Sequence, residues 1–204
     1  MIPELSAESR NAAREKLGIA HARPVLVSVG GLCARKDQMT LIQHMPELVR
    51  RNPQLLLLLV GPPLEADYCA AMEAFVAEQG LKDHVRFMGY AESPWDYYRA
   101  ADIMVFASRE EGFGTVVIEA MAFGLPVVAR RLPGVNDAFI MPGTSGFLFD
   151  RDEEYAAHVG ALLRDETLCR GMGAAGRAFV AAHYDIKRVA ASYLEVYGYP
   201  GARE

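Results

Sequence analysis

Two glutamates lie on either side of a glycine-flanked phenylalanine near the middle of the chain. Glu111 precedes the run GFG, and Glu119 follows Glu111 after seven intervening residues. The apolar run TVVIEAMAF predicts a helix that begins at Thr115, so Glu119 lies just over one turn into it. Carboxylates accept hydrogen bonds from hydroxyl groups, and the free amides of a helix N-terminus attract anions. The spacing therefore predicts an anion site between two hydroxyl acceptors, which suits a nucleotide sugar with its diphosphate between a sugar and a ribose.

A simpler interpretation of the same residues stays open. Glu110 and Glu111 would stabilise the helix N-terminus electrostatically, as negative charges do in the first turn of any helix. Glu119 would then lie on a solvated helix face and bind nothing.

A second candidate site follows the first apolar run. VLVSV (25–29) ends at Gly30 and Gly31, and glycines there allow backbone amides to approach an anion closely. Arg35 and Lys36 would add positive charge. The alternative is a tight turn with solvated basic residues. The fingerprint G-x-G-x-x-G does not occur after this run, and G-x-x-x-x-G-K-[ST] does not occur in the chain, which disfavours a nicotinamide site and a P-loop.

Short apolar runs alternate with helical periodicity along the whole chain. Strands are predicted at 25–29, 55–60, 85–89, 103–108, 126–129 and 146–149, and helices at 38–50, 66–79, 94–101, 115–123, 152–163, 168–183 and 186–197. This alternation predicts a doubly wound α/β fold, a Rossmann-like three-layer sandwich with about six parallel strands. Ligands bind such sheets at the carboxyl ends of the strands, where both candidate sites lie.

Composition excludes several classes of partner. The 204 residues carry a formal net charge of -5 without a block of like charges, which disfavours nucleic acid and anionic lipid. The three cysteines have no CxxC spacing and the five histidines are scattered, so we expect no metal site and a reducing compartment. The start of the chain does not resemble a signal peptide, and the longest apolar run is too short to cross a bilayer. A soluble, cytoplasmic chain is expected.

The stretch EEGFGTVVIEAMAFGLPVVA (110–129) resembles the donor-site signature of retaining GT-B glycosyltransferases, a family that includes glycogen and sucrose synthases. The shared pattern is Glu111, seven residues, Glu119, and then A-M-A-x-G-x-P-V-V-A through Ala129. Further segments agree in the same order: LVSVGGLCARKD, LLLLLVG, DHVRFMGY, YYRAADIMVFAS and HYDIKRVAASYLEVY. The resemblance covers residues 23–197.

This resemblance implies a role for each matching residue. Glu111 would accept hydrogen bonds from the transferred sugar, Glu119 would bind the ribose, and Lys36 would neutralise the diphosphate leaving group. Lys36 and Glu111 are thus the catalytic candidates. The full set of candidate binding residues is Gly30, Gly31, Arg35, Lys36, Gly89, Tyr90, Glu111, Gly112, Phe113, Gly114, Thr115 and Glu119, in which Phe113 and Gly114 would offer amides and the region of Gly89 and Tyr90 would border the base.

Two departures from the family pattern affect the first loop. Many relatives have arginine where Gly31 stands, and Arg35 is the candidate replacement. Relatives often have Lys-Gly where this chain has Lys36 and Asp37, which places a carboxylate near the expected diphosphate.

The resemblance also implies a second domain. Residues 1–22 resemble an interdomain linker with a helix, and residues 23–204 resemble a nucleotide-sugar donor-binding domain with C-terminal helices. A GT-B enzyme binds its acceptor mainly with an N-terminal domain, so we expect this chain alone to be inactive or nearly so. The expected donor is a UDP-, GDP- or ADP-sugar carrying a hexose, with no tightly bound cofactor and no metal. Peripheral association of the full-length enzyme with the cytoplasmic face of a membrane, through its N-terminal domain, remains an open alternative.

Two other functions remain alternatives. A catalytically silent nucleotide-binding or assembly module would keep the fold without transfer. A sugar-nucleotide epimerase-like or phosphorylase-type GT-B protein would need other catalytic groups, and no motif supports the pyridoxal-phosphate lysine of a phosphorylase.

Overall fold

A computed structural model of the chain describes residues 5–197. Residues 1–4 and 198–204, the outer ends of the two predicted domains, lie outside the described residues. Within residues 5–197, six strands form one parallel sheet in the order β3-β2-β1-β4-β5-β6. The strands are β1 (Val25–Val29), β2 (Leu56–Val60), β3 (Val85–Gly89), β4 (Ile103–Phe106), β5 (Val127–Arg130) and β6 (Gly146–Phe149). The predicted doubly wound α/β fold is confirmed.

The central strands are apolar on both faces because each face meets a separate core. In β1, Val25 and Val27 belong to one core, whereas Leu26 belongs to the other, and all three are fully buried. Every residue of β2 is buried in the same alternating way. Successive side chains of a strand point to opposite faces, so a continuous apolar run is what a sheet covered on both sides requires.

Helices cover both faces of the sheet. The helices are α1 (Ala7–Lys16), α2 (Gln38–Gln43), α3 (Met45–Arg51), α4 (Ala66–Glu78), α5 (Trp95–Ala100), α6 (Thr115–Ala122), α7 (Asp152–Arg164), α8 (Glu166–His183) and α9 (Ile186–Val196). Helices α1, α5 and α6 contribute to one core, α2, α3, α4 and α7 contribute to the other, and α8 contributes to both. In residues 5–197, no helix combines the length and apolarity needed to span a bilayer.

One predicted helix is divided in two. The pattern over 38–50 predicts a single helix, but α2 ends at Gln43 and α3 begins at Met45, with His44 between them. Pro46 lies in the first turn of α3. Proline lacks an amide hydrogen and its ring clashes with the carbonyl of the preceding turn, so it is tolerated at a helix start and disfavoured inside a helix. The prediction of one helix was wrong for this reason.

The strand order places the candidate site. Chain direction across the sheet reverses at β1, which has β2 on one side and β4 on the other. In a doubly wound sheet, a crevice opens at such a switch point, outside the carboxyl ends of the two strands. The loops that leave β1 and β4 carry Lys36 and Glu111, respectively.

Candidate functional site

The first loop of the site begins with backbone contacts between neighbouring strand ends. Gly30 has a φ of 149° and donates its amide to Val60 O at 2.8 Å. A side chain at Gly61 would place its Cβ 2.0 Å from Gly30 O, so only glycine permits this close approach. At Gly31 a Cβ would lie 2.4 Å from Leu64 Cδ1, because the side chain of Leu64 covers this position.

Lys36 and Glu111 form the centre of the site. The Lys36 ammonium donates to Glu111 Oε1 across the gap between the two loops. Ser108 Oγ donates to the same oxygen at 2.6 Å. The side chains of Lys36 and Glu111 are only 16% and 10% exposed, so the ion pair is largely shielded from water. Lys36 also lies 5.9 Å from the centre of the Phe106 ring.

Arg35 is held on the second loop. Its Nη1 donates to Glu110 O at 2.8 Å and lies 3.8 Å from Glu111 Oε2. The structure therefore brings together Arg35, Lys36 and Glu111, three of the predicted site residues. It concentrates two positive charges around one carboxylate at the carboxyl ends of β1 and β4.

The start of α6 forms another wall of the site. Gly114 adopts a left-handed conformation with a φ of 83° and precedes Thr115, the first helical residue. Because glycine has no side chain to cap the helix, the first amides of α6 can face a bound anion. Phe113 is 51% exposed and packs near Phe139 and Tyr184, with ring centres 6.1 Å and 6.0 Å away.

Glu119 is oriented by a buried tyrosine on another helix, α5. Tyr98 on α5 donates its hydroxyl to Glu119 Oε2 at 3.0 Å and lies 3.3 Å from Val116 O. Tyr98 is 1% exposed and packs against Phe123, with ring centres 5.4 Å apart, so it belongs to the core as well as to the site. Burial, followed by the charge of Glu119, raises the pKa of the Tyr98 phenol, so its hydroxyl remains a donor well above neutral pH.

No sequence pattern predicts the contact between Tyr98 and Glu119. Tyr98 and Glu119 are 21 residues apart, on different helices, and each fits its own helical pattern without the other. Only the packing of α5 beside α6 places the hydroxyl against the carboxylate.

The residues predicted to border the base lie farther along the sheet. Gly89 ends β3, beyond β2, and its carbonyl accepts the Gly61 amide at 2.8 Å. Tyr90 follows and is 74% exposed. These two residues therefore lie on the opposite side of β1 from Glu111, at the same edge of the sheet.

Metal ligation has no geometric support in the part of the chain that the structure describes. No group of three or more His, Cys, Asp or Glu side chains within residues 5–197 could hold a metal ion. The cations at the site are Arg35 and Lys36, both supplied by the first loop.

Comparisons with known proteins give a consistent result. The family described as "Glycosyl transferases group 1" matches residues 9–179. The D-inositol 3-phosphate glycosyltransferase of Nocardia farcinica is 35% identical over 196 residues, which cover 92% of this chain and 43% of that protein. The chain spans about half the length of the curated relatives it matches.

Solved structures show the same fold. The crystal structure of Anabaena Alr3699/HepE in complex with UDP and glucose superposes with a TM-score of 0.87 at 26% identity, covering 95% of this chain and 53% of that one. The C-terminal domain of LpcC, a glycosyl transferase group 1 family protein from Francisella tularensis, has a TM-score of 0.79 at 23% identity. That match covers 91% of this chain and 97% of the solved domain, so the described fold corresponds to one half of a GT-B structure.

Proposed function

This chain belongs to the glycosyl transferases group 1 family, and on that premise we propose that it is the donor-binding domain of a retaining hexosyltransferase. The donor is a nucleotide-diphosphate sugar, and a further domain supplies the acceptor. The observation that carries this proposal is the shielded Lys36–Glu111 pair at the carboxyl ends of β1 and β4, beside the start of α6.

The proposed chemistry follows from where charge develops. During transfer, the bond between the anomeric carbon and the diphosphate oxygen breaks, and its electron pair leaves with the diphosphate. Lys36 stabilises that charge, with Arg35 beside it, and a cation fixed in place before the reaction stabilises a developing anion most effectively. The amides at the start of α6 receive a phosphate oxygen. The acceptor hydroxyl forms the new bond to the anomeric carbon on the face that the diphosphate leaves, which retains the configuration, and its proton passes to the departing diphosphate oxygen.

Glu111 and Glu119 have separate roles in this proposal. Glu111 accepts hydroxyl groups of the sugar at Oε2, which lies 3.8 Å from Arg35, while Oε1 keeps its contacts with Lys36 and Ser108. Glu119, held by Tyr98, accepts the ribose hydroxyls. A carboxylate whose orientation is fixed in advance loses less entropy on binding than a mobile one.

The base and the sugar of the donor are to be identified by experiment. UDP is bound in the Anabaena structure, which makes a uridine nucleotide the first to test. Guanosine and adenosine nucleotides remain candidates. The assembly form of the silent-module alternative predicts that none of these nucleotides binds. The epimerase-like and phosphorylase-type alternatives have no residue in the described site to support them.

Calorimetric titration of the chain with UDP-glucose, GDP-mannose and ADP-glucose, and with the free diphosphates, tests the proposal. We expect one nucleotide to bind, and Glu119→Gln to weaken both its free and its sugar-linked forms by about tenfold, since hydrogen bonds to a charged group are lost. Glu111→Gln should reduce the difference in affinity between the sugar-linked and free forms.

The matched control is Glu110→Gln, which removes an exposed carboxylate next to Glu111 and should leave both affinities unchanged. Absence of binding by all three nucleotides, with an intact fold, would favour the assembly module. A Glu111→Gln variant that treats the sugar-linked and free nucleotides as the native chain does would refute the role given to Glu111.

A further inference from the structure

Asp37 combines an unfavourable backbone with a buried charge. It is the residue after Lys36, and its φ of 49° and ψ of 42° place it in the left-handed region. Among the described residues it alone is a non-glycine with positive φ. Its side chain is 7% exposed. Both features carry a cost in free energy, because side chains disfavour this conformation and burial disfavours a charge.

A single oxygen of Asp37 gathers three donors. Arg109 Nε lies 2.9 Å from Oδ2, Arg130 Nη2 lies 3.0 Å from it, and Thr40 Oγ1 lies 2.9 Å from it. Two arginines thus offset this buried carboxylate, and Arg130 Nη2 also lies 2.9 Å from Asp152 Oδ1. The carboxylate that sequence comparison places near the expected diphosphate is engaged by these cations, while Lys36 makes its ion pair with Glu111.

These contacts join the two loops that carry the site. Arg109 belongs to the loop after β4, and its backbone amide also donates to Arg35 O at 2.9 Å. Arg130 ends β5, and its Nε donates to Ala107 O at 3.0 Å. We call Asp37, Arg109 and Arg130 the loop clamp. The clamp lies one residue from Lys36 on the first loop and two residues from Glu111 on the second.

We propose that Asp37 is a positioning residue, which through the loop clamp holds the Lys36 ammonium against Glu111 before the donor binds. The inference rests on the proposed function for its consequence, because a fixed Lys36 is what the leaving diphosphate requires. A separate observation supports it, namely the ion pairs of Asp37 with Arg109 and Arg130. A glycine at this position would relieve the backbone but would leave the two loops joined by fewer contacts.

A nucleotide-free experiment tests the clamp directly. The purified chain is treated briefly with acetic anhydride, and acetylation of each lysine is measured by mass spectrometry. The Lys36 amine is shielded and paired, so it reacts only when it leaves Glu111. In Asp37→Gly, which keeps the left-handed backbone without strain, we expect Lys36 to react about tenfold faster, as lost charge-assisted hydrogen bonds would allow. The exposed Lys82 should react at its native rate.

Two further variants separate positioning from folding. Arg109→Gln removes the exposed arginine of the loop clamp, so we expect the fold to be preserved. Lys36 should become several-fold more reactive. Asp37→Asn keeps an oxygen acceptor and a residue type that tolerates the left-handed region, so it should restore part of the protection. An unchanged Lys36 rate in both Asp37→Gly and Arg109→Gln would overturn the proposal. Equal acceleration of Lys36 and Lys82 would also overturn it, because that result indicates general loosening.

A double-mutant cycle links the clamp to the ligand. With the nucleoside diphosphate that binds best among UDP, GDP and ADP, Asp37→Gly should weaken binding about tenfold in the native background and have little effect in the Lys36→Met background. Equal weakening in both backgrounds, or tighter binding in Asp37→Gly, would contradict positioning through Lys36. Failure of all three diphosphates to bind would refute the proposed function alone, since the acetylation result stands without a ligand.

Discussion

Glu111 shares one carboxylate oxygen between an ammonium and a hydroxyl. Oε1 accepts from Lys36 and from Ser108, whereas Oε2 lies 3.8 Å from Arg35, beyond hydrogen-bond distance. A sugar that enters this site therefore meets an acceptor whose position is already determined by three neighbours. Such preorganisation lowers the entropy that binding must overcome.

Tyr98→Phe tests the orientation of Glu119. The change removes one hydroxyl from a buried position and keeps the ring against Phe123, so we expect nucleotide affinity to fall several-fold and stability by about 1 kcal/mol. Calorimetry and urea denaturation measure the two effects. Tyr97→Phe, on the neighbouring half-buried tyrosine, serves as the matched control. Native nucleotide affinity in Tyr98→Phe would show that Glu119 is oriented without the hydroxyl.

Helix α1 is attached to the rest of the fold by a buried arginine. Arg14 is 1% exposed and donates to Asp102 and to four carbonyl oxygens, those of Ala100, Ala20, His21 and Arg23. Arg10 donates to Asp102 at 2.5 Å from the same helix. The predicted linker segment therefore contains a helix that packs on α5 and shares its core.

Arg14→Met tests this attachment. Methionine retains much of the apolar stem but removes the hydrogen bonds to four carbonyls, one of them on the buried Ala100, and one of the two arginines that pair with Asp102. We therefore expect unfolding to become easier by about 2–4 kcal/mol. Urea denaturation monitored by circular dichroism measures the change. The control is Lys16→Ala, on the same helix as Arg14. It breaks the exposed ion pair between Lys16 and Asp96 of α5 and should leave stability near its native value. Equal stability of Arg14→Met and the native chain would mean that α1 is held by apolar packing alone.

At the scale of the whole molecule, the candidate site is open to solvent at both of its ends. Phe113 and Tyr90, at the two ends of the candidate site, are 51% and 74% exposed. An open site admits water and places no acceptor, and both conditions disfavour transfer. The matched relatives are about twice as long as this chain, which accords with a second wall supplied by another domain.

The isolated 204-residue chain should therefore bind a nucleotide sugar without transferring it. Misplaced or absent reacting groups cost at least about a hundredfold in rate, so we expect release of nucleoside diphosphate from the bound donor to be near background. A coupled assay for the released diphosphate, with and without candidate acceptors, measures this. A longer relative containing both domains is the positive control. Robust transfer by the purified chain would refute the need for a second domain.

Much of the architecture could be predicted from local pattern. The runs VLVSV and VRFMG became β1 and β3 at their predicted bounds, because short runs rich in β-branched and aromatic residues that end at a glycine favour strands. The apolar periodicity of residues 38–50 predicts one helix, but Pro46, a helix breaker visible in the sequence, divides the segment into α2 and α3. The meeting of Lys36 and Glu111 also followed from topology, since both loops leave parallel strands at one edge.

The sequence by itself determined the fold class, the family and the edge of the sheet at which the candidate residues lie. Periodicity, glycine turns and the spacing from Glu111 to Glu119 are local properties, and local properties can be read along a chain. Only the tertiary structure decided that Tyr98 orients Glu119 and that Asp37 ties two loops through Arg109 and Arg130. These contacts join residues 21 to 93 positions apart. Their energies depend on burial and distances of about 3 Å, which exist only once helices and strands have packed.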